Sequence, residues 1–519
     1  MGNEGQVQRP WWQQPAWWLL GGVTVFNLAY LFLTPFDLFP DEAQYWDWSR
    51  HLQWSYYSKG PLIAWLIALF TRFTGPTPWG VRLGAVLLTA VVAFFVSRLV
   101  LLESRSPASG QSQPALLTTF SLLLLNPLFS VGQVLMTTDV PFIACWTAAL
   151  YALARVLQEE GADWWIIGAG VALGLGFLAK YSMLLLLLPL LFTLVQERRL
   201  TLWLRRPSTY GAALVALLLA APVLIWNAQH DWPTVRHVAR LAGQGRGWRF
   251  FVPEFLTAQI LLLTPFVFLY LTRVSLRAVR AEASAAEKLL GWSFLALFGF
   301  FLLKAAQSKV EQNWPAMAYV GAMVLAGRAW ARGEGTRPGR RRWAVVSLVL
   351  MVGLSLLARS FPLLHHLFPS ERLVRIDPTR RGVGYRELGQ AVGAWRERLA
   401  RQTGQQPEDI FPFAAEYQIT SELAFYVPGQ PTTYCANAGR RRNQYDYWPG
   451  FENLLGRDGL FVQRGNPSAP PAAIAAGFAC WERLALVPIR RGHNLLHQYT
   501  LFFLRDFRGF PPPEGEMSY

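Results

Sequence analysis

The sequence predicts a multi-pass α-helical membrane protein with a small α/β domain at its C-terminal end. Its 519 residues are 53% hydrophobic and only 15% charged, whereas soluble proteins carry roughly 25% charged residues. Apolar runs of about 20 residues, the length that spans a bilayer as a helix, recur before residue 361. After that residue the apolar runs shorten, and charged residues, proline and glycine become frequent. We therefore divide the chain into a transmembrane domain, 1–360, and an outer α/β domain, 361–519.

About eleven apolar runs are long enough to be membrane helices. The assignment of spans is least clear for the paired runs around Asn126 and Lys180. No charged leader with a small-residue cleavage site precedes the first run, so we expect that span to remain in the mature protein. The predicted spans are 17–35, 79–101, 115–134, 140–157, 164–178, 181–196, 208–226, 254–272, 289–303, 315–331 and 343–360.

The outer domain combines strand-like and helix-like segments. Leu484–Pro488 and Tyr499–Leu504 have the pattern of strands, and Tyr385–Arg401 places apolar residues at helical spacing. Cys435 and Cys480 also lie here, where a disulfide is allowed if the domain faces an oxidising compartment. With two candidates and no spacing signature, the sequence leaves that pairing open.

The net charge of +16 does not indicate nucleic-acid binding, because the arginines cluster in alternate short loops between spans. Loops rich in Lys and Arg stay on the cytoplasmic side, and counting spans places three such loops and the N-terminus there. The first outer loop, 36–78, then faces outside, as do Asp139 and the outer domain. The same holds for loops 227–253 and 304–314. The basic loops contain Arg198, Arg199, Arg205 and Arg206; Arg273, Arg277, Arg280 and Lys288; and Arg328, Arg332, Arg337, Arg340, Arg341 and Arg342.

Two further charge patterns favour a site at the membrane surface. Charged residues of the transmembrane domain lie at the ends of spans, whereas ion-coupled transporters keep ionisable groups near the midplane. The outer loop 227–253 is basic against the positive-inside rule, with arginines that include Arg236 and Arg246. An anionic lipid phosphate is one reason for such an exception.

The segment Pro40–Pro61 concentrates polar residues between two apolar runs. Asp41 and Glu42 follow a proline, which suits a first helical turn. A helix from there places Asp41, Tyr45 and Trp48 on one face. A carboxylate in this place can accept a proton from an attacking hydroxyl while aromatic rings flank a sugar. Alternatively, acids in a first turn only favour the helix dipole.

Other polar residues also allow either a functional or a structural interpretation. Lys59 can hold a phosphate as a point charge, or it can be a snorkelling interfacial lysine. Asp139 can act in the site, or it can cap the helix that follows it. His365 and His366 have no partner at metal-ligand spacing. The sequence contains no glycine-rich phosphate loop, Walker pattern or nucleophile elbow.

Five segments stand out together: PDEAQYWDWSRHLQWSYYSKGPLIAWLIAL, TTDVPF, AKYS, PVLIWNAQHDW and QNWPA. They resemble the bacterial members of glycosyltransferase family 39, the protein O-mannosyltransferase-like and lipid A aminoarabinose transferase-like enzymes. The resemblance covers most of residues 36–320. It implies the GT-C fold, with interfacial helices in the first outer loop, and the inverting transfer of a sugar from a polyprenyl phosphate to an acceptor outside the inner membrane.

The resemblance also implies roles for individual residues. Asp41 matches the family's essential acid, Glu42 completes the pair, and Asp139 matches the acid of the second outer loop. Lys59 matches the lysine that neutralises the donor phosphate, although here a glycine separates it from the following proline.

We add Lys309 and Arg246 as further contacts to the donor phosphate. The candidate sugar and acceptor contacts are Tyr45, Trp46, Tyr57, Lys180, Tyr181, His230, Gln312, Asn313 and Tyr445, the last in a QYDYW segment that resembles a feature of the bacterial branch.

One departure from the family bears on cofactors. Aminoarabinose transferases carry an acid directly before the donor lysine, and that acid takes part in metal binding. Here the position is Ser58, which replaces a carboxylate poorly, so we expect no metal ligand set and no required cofactor.

The sequence thus predicts a polyprenyl-phosphate-sugar-dependent glycosyltransferase of the bacterial inner membrane, with its site facing the periplasm. The acceptor can be lipid A, another glycan, a lipid or a protein. A polysaccharide polymerase or ligase would use the same donors, so it stays open. A lipid or glycan transporter is disfavoured by the clean span centres, and a structural scaffold would not need Asp41, Lys59 and Asp139 on one face. The donor sugar and the oligomeric state are not determined by the sequence.

Overall fold

The computed structural model describes residues 14–102, 111–158, 163–243, 250–334, 337–437 and 441–510. Within these ranges, a helical body extends to Leu367 and is followed by a tail that contains a β-sheet. The helices of the body are α1 (Pro15–Leu33), α2 (Pro40–Arg50), α3 (Leu62–Thr74), α4 (Pro78–Leu101), α5 (Ser112–Leu124), α6 (Pro127–Gly132), α7 (Asp139–Gln158), α8 (Asp163–Ala179), α9 (Leu187–Gln196), α10 (Leu200–Arg205), α11 (Pro207–Gln229), α12 (Pro233–Gly243), α13 (Val252–Leu263), α14 (Pro265–Ala278), α15 (Ala285–Ala305), α16 (Ala316–Ala331) and α17 (Pro338–Leu367).

Six helices of the described chain are long and apolar enough to cross a membrane, and a seventh crossing is added if the bent pair α13 and α14 counts as one span. Each predicted span coincides with helical structure, but α8, α9 and α16 are shorter apolar helices. The prediction of a multi-pass helical membrane protein is confirmed, whereas the count of about eleven spans is not. The six are α1, α4, α7, α11, α15 and α17.

Two predicted spans are broken because prolines interrupt them. α13 and α14 meet at 99°, where Thr264 adopts a positive φ of 67°. α5 and α6 are separated at Asn126, whose side chain caps α6. Each break directly precedes a proline, which cannot donate a backbone hydrogen bond and restricts the residue before it. The predictions of continuous spans over 254–272 and 115–134 are therefore wrong.

The predicted basic loops lie at one end of the helical body, where ion pairs connect them to neighbouring segments. Lys288 contacts Glu197 at 2.5 Å, and Arg273 contacts Glu334 at 3.3 Å. Arg328 donates to backbone carbonyl oxygens at the C-terminal end of α4. The N-terminal end of α4 leads to the other end of the body, where α2 and α3 lie.

The tail forms a five-stranded sheet with the order β2-β1-β3-β5-β4. β1 pairs in parallel with β2 and β3, and the other two pairings are antiparallel. The predicted helix is α19, and the predicted strands lie in β4 and β5. Cys435 and Cys480, which are both within the described residues, are not joined by a disulfide. The elements are α18 (Glu371–Ile376), α19 (Tyr385–Thr403), β1 (Ile410–Ala414), α20 (Tyr417–Tyr426), β2 (Tyr434–Cys435), β3 (Asp458–Arg464), α21 (Ala472–Ala475), β4 (Phe478–Arg491) and β5 (Asn494–Phe507).

The tail is held against the first outer loop by polar and aromatic contacts. Asp37, from the loop before α2, accepts hydrogen bonds from the backbone N–H groups of Gly384 and Tyr385 at 2.8 and 2.9 Å. It thereby satisfies donors that the first turn of α19 leaves unpaired. The ring of Trp46 on α2 packs on Phe425 of α20 with centroids 4.7 Å apart. The tail therefore covers the outer loop in which the acid pair lies.

Candidate active site

The acid pair lies in the first turn of α2, as the sequence predicts, but its two carboxyl groups have different surroundings. Glu42 is fully buried, and its Oε2 lies 2.7 Å from a guanidinium nitrogen of Arg82 on α4. The same carboxylate accepts the backbone N–H groups of Phe39 and Met136, each at 3.0 Å. Because its oxygens are occupied by these donors, we propose that Glu42 has a positioning role; the catalytic role predicted for it from the sequence is not tested by these contacts.

Asp41 remains exposed at the N-terminal end of α2. Protein atoms crowd around its solvent-accessible carboxyl group, and this desolvation raises the pKa of that group above the usual range for aspartate. The charge of Lys59 acts in the opposite direction, as does that of Arg381 from the tail, whereas Glu42 and Asp139 add to the rise. A carboxylate with a raised pKa and an open side is suited to accept a proton from a hydroxyl.

Lys59 is brought to Asp41 by the loop between α2 and α3. Gly60 makes this approach possible, because a Cβ there would lie 2.1 Å from the carbonyl oxygen of Leu178 on α8. Burial lowers the pKa of the Lys59 ammonium group, and the nearby charge of Lys180 lowers it further. Lys59 and Lys180 therefore place two ammonium groups near each other, which favours the binding of an anionic group.

Asp139 connects two further parts of the body to this site. Its Oδ1 lies 2.5 Å from Nζ of Lys180, and its Oδ2 accepts the side-chain amide of Asn313 at 2.5 Å. Lys180 reaches it from the break between α8 and the following 3-10 helix, Tyr181–Leu186. The structure thus brings together the predicted residues Asp139, Lys180 and Asn313.

A largely apolar cavity of about 510 Å³ begins beside this group and extends between α1, α6, α7 and α17. Asp139, Gln312 and Asn313 line its polar end. The carbonyl oxygen of Gln312 accepts the side chain of Gln259 at 3.1 Å. Apolar residues such as Leu31 and Val131 line much of the remainder. Its largely apolar lining suits a hydrocarbon chain.

Four of the predicted sugar-binding aromatic residues, Tyr45, Trp46, Tyr57 and Tyr445, are buried in packing contacts. Tyr45 and Trp46 are 5% and 3% exposed. Tyr445 is 7% exposed, and its hydroxyl donates to Asp47 on α2 at 2.6 Å. Trp46 and Tyr445 thus help to dock the tail on α2, and their predicted sugar contacts stay predictions. Tyr45 stays close to the site, since the charge of Asp41 contributes to raising its pKa.

Two other predicted contacts, Tyr57 and His230, belong to a group of packed aromatic rings. The ring of Tyr57 lies 5.0 Å from that of His237 and 5.7 Å from that of Tyr447. His230 stacks on Trp226 with centroids 4.3 Å apart. These rings bring the loop after α2, the C-terminal end of α11 and the tail together.

Tyr181 and Lys309 take part in further packing and ionic contacts. Tyr181 packs on Phe177 with ring centroids 5.0 Å apart. Lys309 pairs with Glu254 on α13 at 3.4 Å, and both side chains are about half exposed. Arg246 lies outside the described residues.

The sequence did not indicate Arg82, Arg381 or Tyr417 as part of the site. In the sequence, Arg82 is one of several charged residues at the ends of predicted spans. Its contact with Glu42 depends on the packing of α4 against α2. Arg381 and Tyr417 come from the tail, more than 300 residues beyond the acid pair. Asp41 and Arg381 influence the Tyr417 hydroxyl in opposite directions, and burial raises the pKa of that hydroxyl to about 12.

The residues present do not fit the metal site that the family resemblance implies. Ser58 offers only a hydroxyl group. Within the described ranges, no group of three or more His, Cys, Asp or Glu side chains could hold a metal ion. We therefore derive no step through a metal, and metal independence stays a prediction.

Comparisons with known proteins agree with this architecture. Residues 58–226 match the family model described as dolichyl-phosphate-mannose-protein mannosyltransferase. The chain is 30% identical over 318 residues to lipid A galacturonosyltransferase RgtD of Rhizobium johnstonii, an alignment that covers 59% of this chain and 63% of the relative. It is 27% identical over 261 residues to an undecaprenyl phosphate-alpha-4-amino-4-deoxy-L-arabinose arabinosyl transferase of Pseudomonas savastanoi, covering 44% of this chain and 47% of the relative.

The fold is similar to that of a solved membrane protein. ArnT from Cupriavidus metallidurans bound to undecaprenyl phosphate superposes with a TM-score of 0.65 at 17% identity, covering 93% of this chain and 97% of ArnT. ArnT in the apo state gives a TM-score of 0.60 at 15% identity. The predicted family resemblance and the GT-C fold are confirmed. The chain spans less than two thirds of the length of the two relatives that it matches in sequence.

Proposed function

We propose that this chain, which has the GT-C fold, transfers a sugar from a polyprenyl-phosphate-linked donor to a hydroxyl group of a lipid A-type glycolipid. The observation that carries the proposal is the convergence of Asp41, Lys59, Asp139 and Lys180 at one end of a membrane body, beside a cavity for a hydrocarbon chain. The names of the relatives, which include a lipid A galacturonosyltransferase and an arabinosyl transferase that uses an undecaprenyl phosphate sugar, support this choice of donor and acceptor.

The donor's phosphate is assigned to Lys59 and Lys180. In such a donor the phosphate is a diester with one negative charge, and it becomes a monoester with additional charge when its bond to the sugar breaks. Two ammonium groups placed at that phosphate stabilise the developing charge, which is the largest electrostatic change in the reaction. The isoprenoid chain fits the apolar part of the cavity between α1 and α17.

Asp41 is assigned to the acceptor. The acceptor hydroxyl attacks the anomeric carbon from the side opposite the phosphate, its proton passes to the Asp41 carboxylate, and polyprenyl phosphate leaves. Attack from the opposite side inverts the anomeric configuration. Asp139 holds Lys180 in place, because its carboxylate is shared between that ammonium group and Asn313.

We place this site on the periplasmic face of the inner membrane. The basic loops meet at the other end of the body, and loops rich in Lys and Arg stay cytoplasmic. The tail, on the same side as Asp41, is then a periplasmic domain that begins near residue 361.

Transfer by the purified chain tests the proposal. Radiolabelled undecaprenyl-phosphate sugars, including galacturonic acid, aminoarabinose and mannose, are supplied with lipid A in nanodiscs. We expect label from one donor to enter lipid A and undecaprenyl phosphate to be released. Binding of undecaprenyl phosphate without transfer from any donor to lipid A, a glycan or a peptide would contradict the assigned activity and favour a lipid transporter.

A further inference from the structure

A second cleft lies in the tail, close to the candidate active site. Its volume is about 510 Å³. We call it the arginine cleft, because Arg380, Arg381 and Arg464 line it together with His497. None of the described residues that line the cleft is acidic. A concave surface with three guanidinium groups is suited to phosphate or carboxylate, which the planar guanidinium binds through paired hydrogen bonds.

The arginine cleft is held in shape by contacts that leave most of its charge available. Nε2 of His497 lies 2.8 Å from the backbone carbonyl oxygen of Arg380, which fixes the 3-10 helix Pro378–Gly382 against β5. Arg464 lies 3.6 Å from Glu416, and both side chains are more than a third exposed. An ion pair so exposed is worth little, so it competes weakly with an anionic ligand.

Arg381 connects the cleft to the candidate active site. The neighbouring Gly382 packs against the ring of Phe39, two residues before Asp41, so closely that a Cβ on Gly382 would lie 2.7 Å from that ring. In agreement with this placement, burial raises the pKa of both Asp41 and Tyr417, and the charge of Arg381 opposes the rise. Its backbone position is also tied to the outer loop, because the N–H of Asp37 donates to the carbonyl oxygen of Gly382 at 2.9 Å. A molecule whose hydroxyl lies at Asp41 can therefore place a neighbouring anionic group in the cleft.

We propose that the arginine cleft binds an anionic group, phosphate or carboxylate, on the sugar head group of the acceptor, and that it selects acceptors carrying that charge near the reacting hydroxyl. This inference rests on the proposed transfer to a glycolipid and goes beyond it, because it assigns acceptor recognition to the tail. The donor's phosphate is held separately, by lysines of the helical body.

The test uses the full chain in nanodiscs and three acceptors. They are lipid A with its phosphates, the same lipid after phosphatase treatment, and phosphatase-treated lipid A to which carboxylated core sugars are still attached as a separate part of the glycolipid. Affinity is measured directly, and KM and kcat are measured by transfer. The variants are Arg381→Gln, Arg464→Gln and their combination. Arg505→Gln is the matched control, since this exposed arginine lies near the opposite end of β5.

We expect the double variant to lose about 10- to 100-fold in affinity for the charged acceptor, the usual worth of hydrogen bonds to a charged group. KM should rise by the same factor. Variants at Arg381 should also need a higher pH for full kcat, because Arg381 helps to keep Asp41 ionised, and Arg381→Lys should retain part of the affinity. Loss of affinity for only one of the two charged acceptors identifies phosphate or carboxylate as the ligand. Phosphatase-treated lipid A without core acids should bind the wild type and the double variant equally weakly.

Equal effects on charged and uncharged acceptors, or no effect on either, would overturn the inference. Failure of the proposed function gives a different result, in which the wild type transfers no sugar to any acceptor. The direct affinity measurement still decides on the cleft in that case, because it requires no turnover. Binding of undecaprenyl phosphate should be the same in wild type and all variants.

Discussion

Asp41 and Glu42 are adjacent in the chain but perform different tasks in this account. The adjacency and the aromatic residues near it were visible in the sequence. The division of roles was not, because it depends on Arg82, which reaches Glu42 only when α4 packs on α2. A buried carboxylate that is paired and accepts backbone hydrogen bonds is a structural group, whereas the exposed one beside Lys59 is left for chemistry.

The pH dependence of transfer follows from the surroundings of Asp41 and Lys59. Asp41 acts as base only when it is ionised, so the rate should rise as pH increases through a pKa that burial places above the aspartate range. Lys59 holds the phosphate only when it is protonated, so the rate should fall as pH increases through a pKa that burial lowers below the lysine range. A profile of kcat/KM against pH should be bell-shaped, and Lys59→Arg should move the alkaline limb to higher pH. A value of kcat/KM that does not change with pH would show that neither group titrates during turnover.

Removal of Glu42 should destabilise the fold. Glu42→Ala leaves the buried Arg82 guanidinium without a counter-charge, and breaking a buried pair in this way costs about 3–5 kcal/mol. Glu397→Ala is the control, because Glu397 and Arg401 form an exposed pair at 4.0 Å of a kind worth at most about 1 kcal/mol. Thermal unfolding in detergent measures both. Equal unfolding temperatures for the two variants would contradict the structural role of Glu42.

At the scale of elements, hydropathy located helices well but did not predict their breaks. The breaks matter for function, because the interruption after α8 places Lys180 at Asp139. Apolar runs look alike on either side of such an interruption, and a proline permits a kink without requiring one. The 99° bend at Thr264 was therefore not predictable from composition.

The packing of the outer loop on α8 makes a specific prediction. Gly60→Ala places a Cβ 2.1 Å from the Leu178 carbonyl oxygen, so the loop must move and Lys59 must leave its position beside Lys180. We expect weaker binding of undecaprenyl phosphate by the purified folded protein, together with a lower unfolding temperature, because the clash is with backbone atoms. Gly353→Ala in α17 is the control, since a Cβ there meets nothing within 4 Å. Normal lipid binding by Gly60→Ala would mean that Lys59 does not need this approach.

At the scale of the whole molecule, the tail completes the site that the body begins. The sequence predicted a separate α/β domain and its main helix, α19. It did not predict that Arg381 and Tyr417 of the tail lie near Asp41, because contacts between residues so distant in the chain leave no local pattern. The acid cap from Asp37 to α19 and the docking of α20 on α2 bring them there.

The orientation of the molecule in the membrane is tested by reporter fusions. The charge asymmetry predicts that a fusion at Pro338, in the third basic loop, reports from the cytoplasm, and that a fusion at Pro407, in the tail, reports from the periplasm. A fusion at Arg205, in the first basic loop, is a second cytoplasmic control. A cytoplasmic signal at Pro407 would place Asp41 on the wrong side for a periplasmic acceptor.

The central claim is that Lys59 binds the donor phosphate and Asp41 acts on the acceptor hydroxyl. It is tested most directly by measuring undecaprenyl phosphate affinity and sugar transfer side by side in Asp41→Asn and Lys59→Ala. Asp163→Asn, at the basic end of the body where Asp163 lies 3.7 Å from Arg206, is the matched control.

Asp41→Asn should lower transfer by about 10²–10⁴-fold, the usual contribution of a positioned acid–base group, with lipid affinity unchanged. Lys59→Ala should weaken lipid affinity first, because it removes the counter-charge of the phosphate. Asp163→Asn should leave both quantities at wild-type values. Unchanged transfer by folded Asp41→Asn would contradict the claim and leave Asp41 as a residue that only favours the helix dipole of α2.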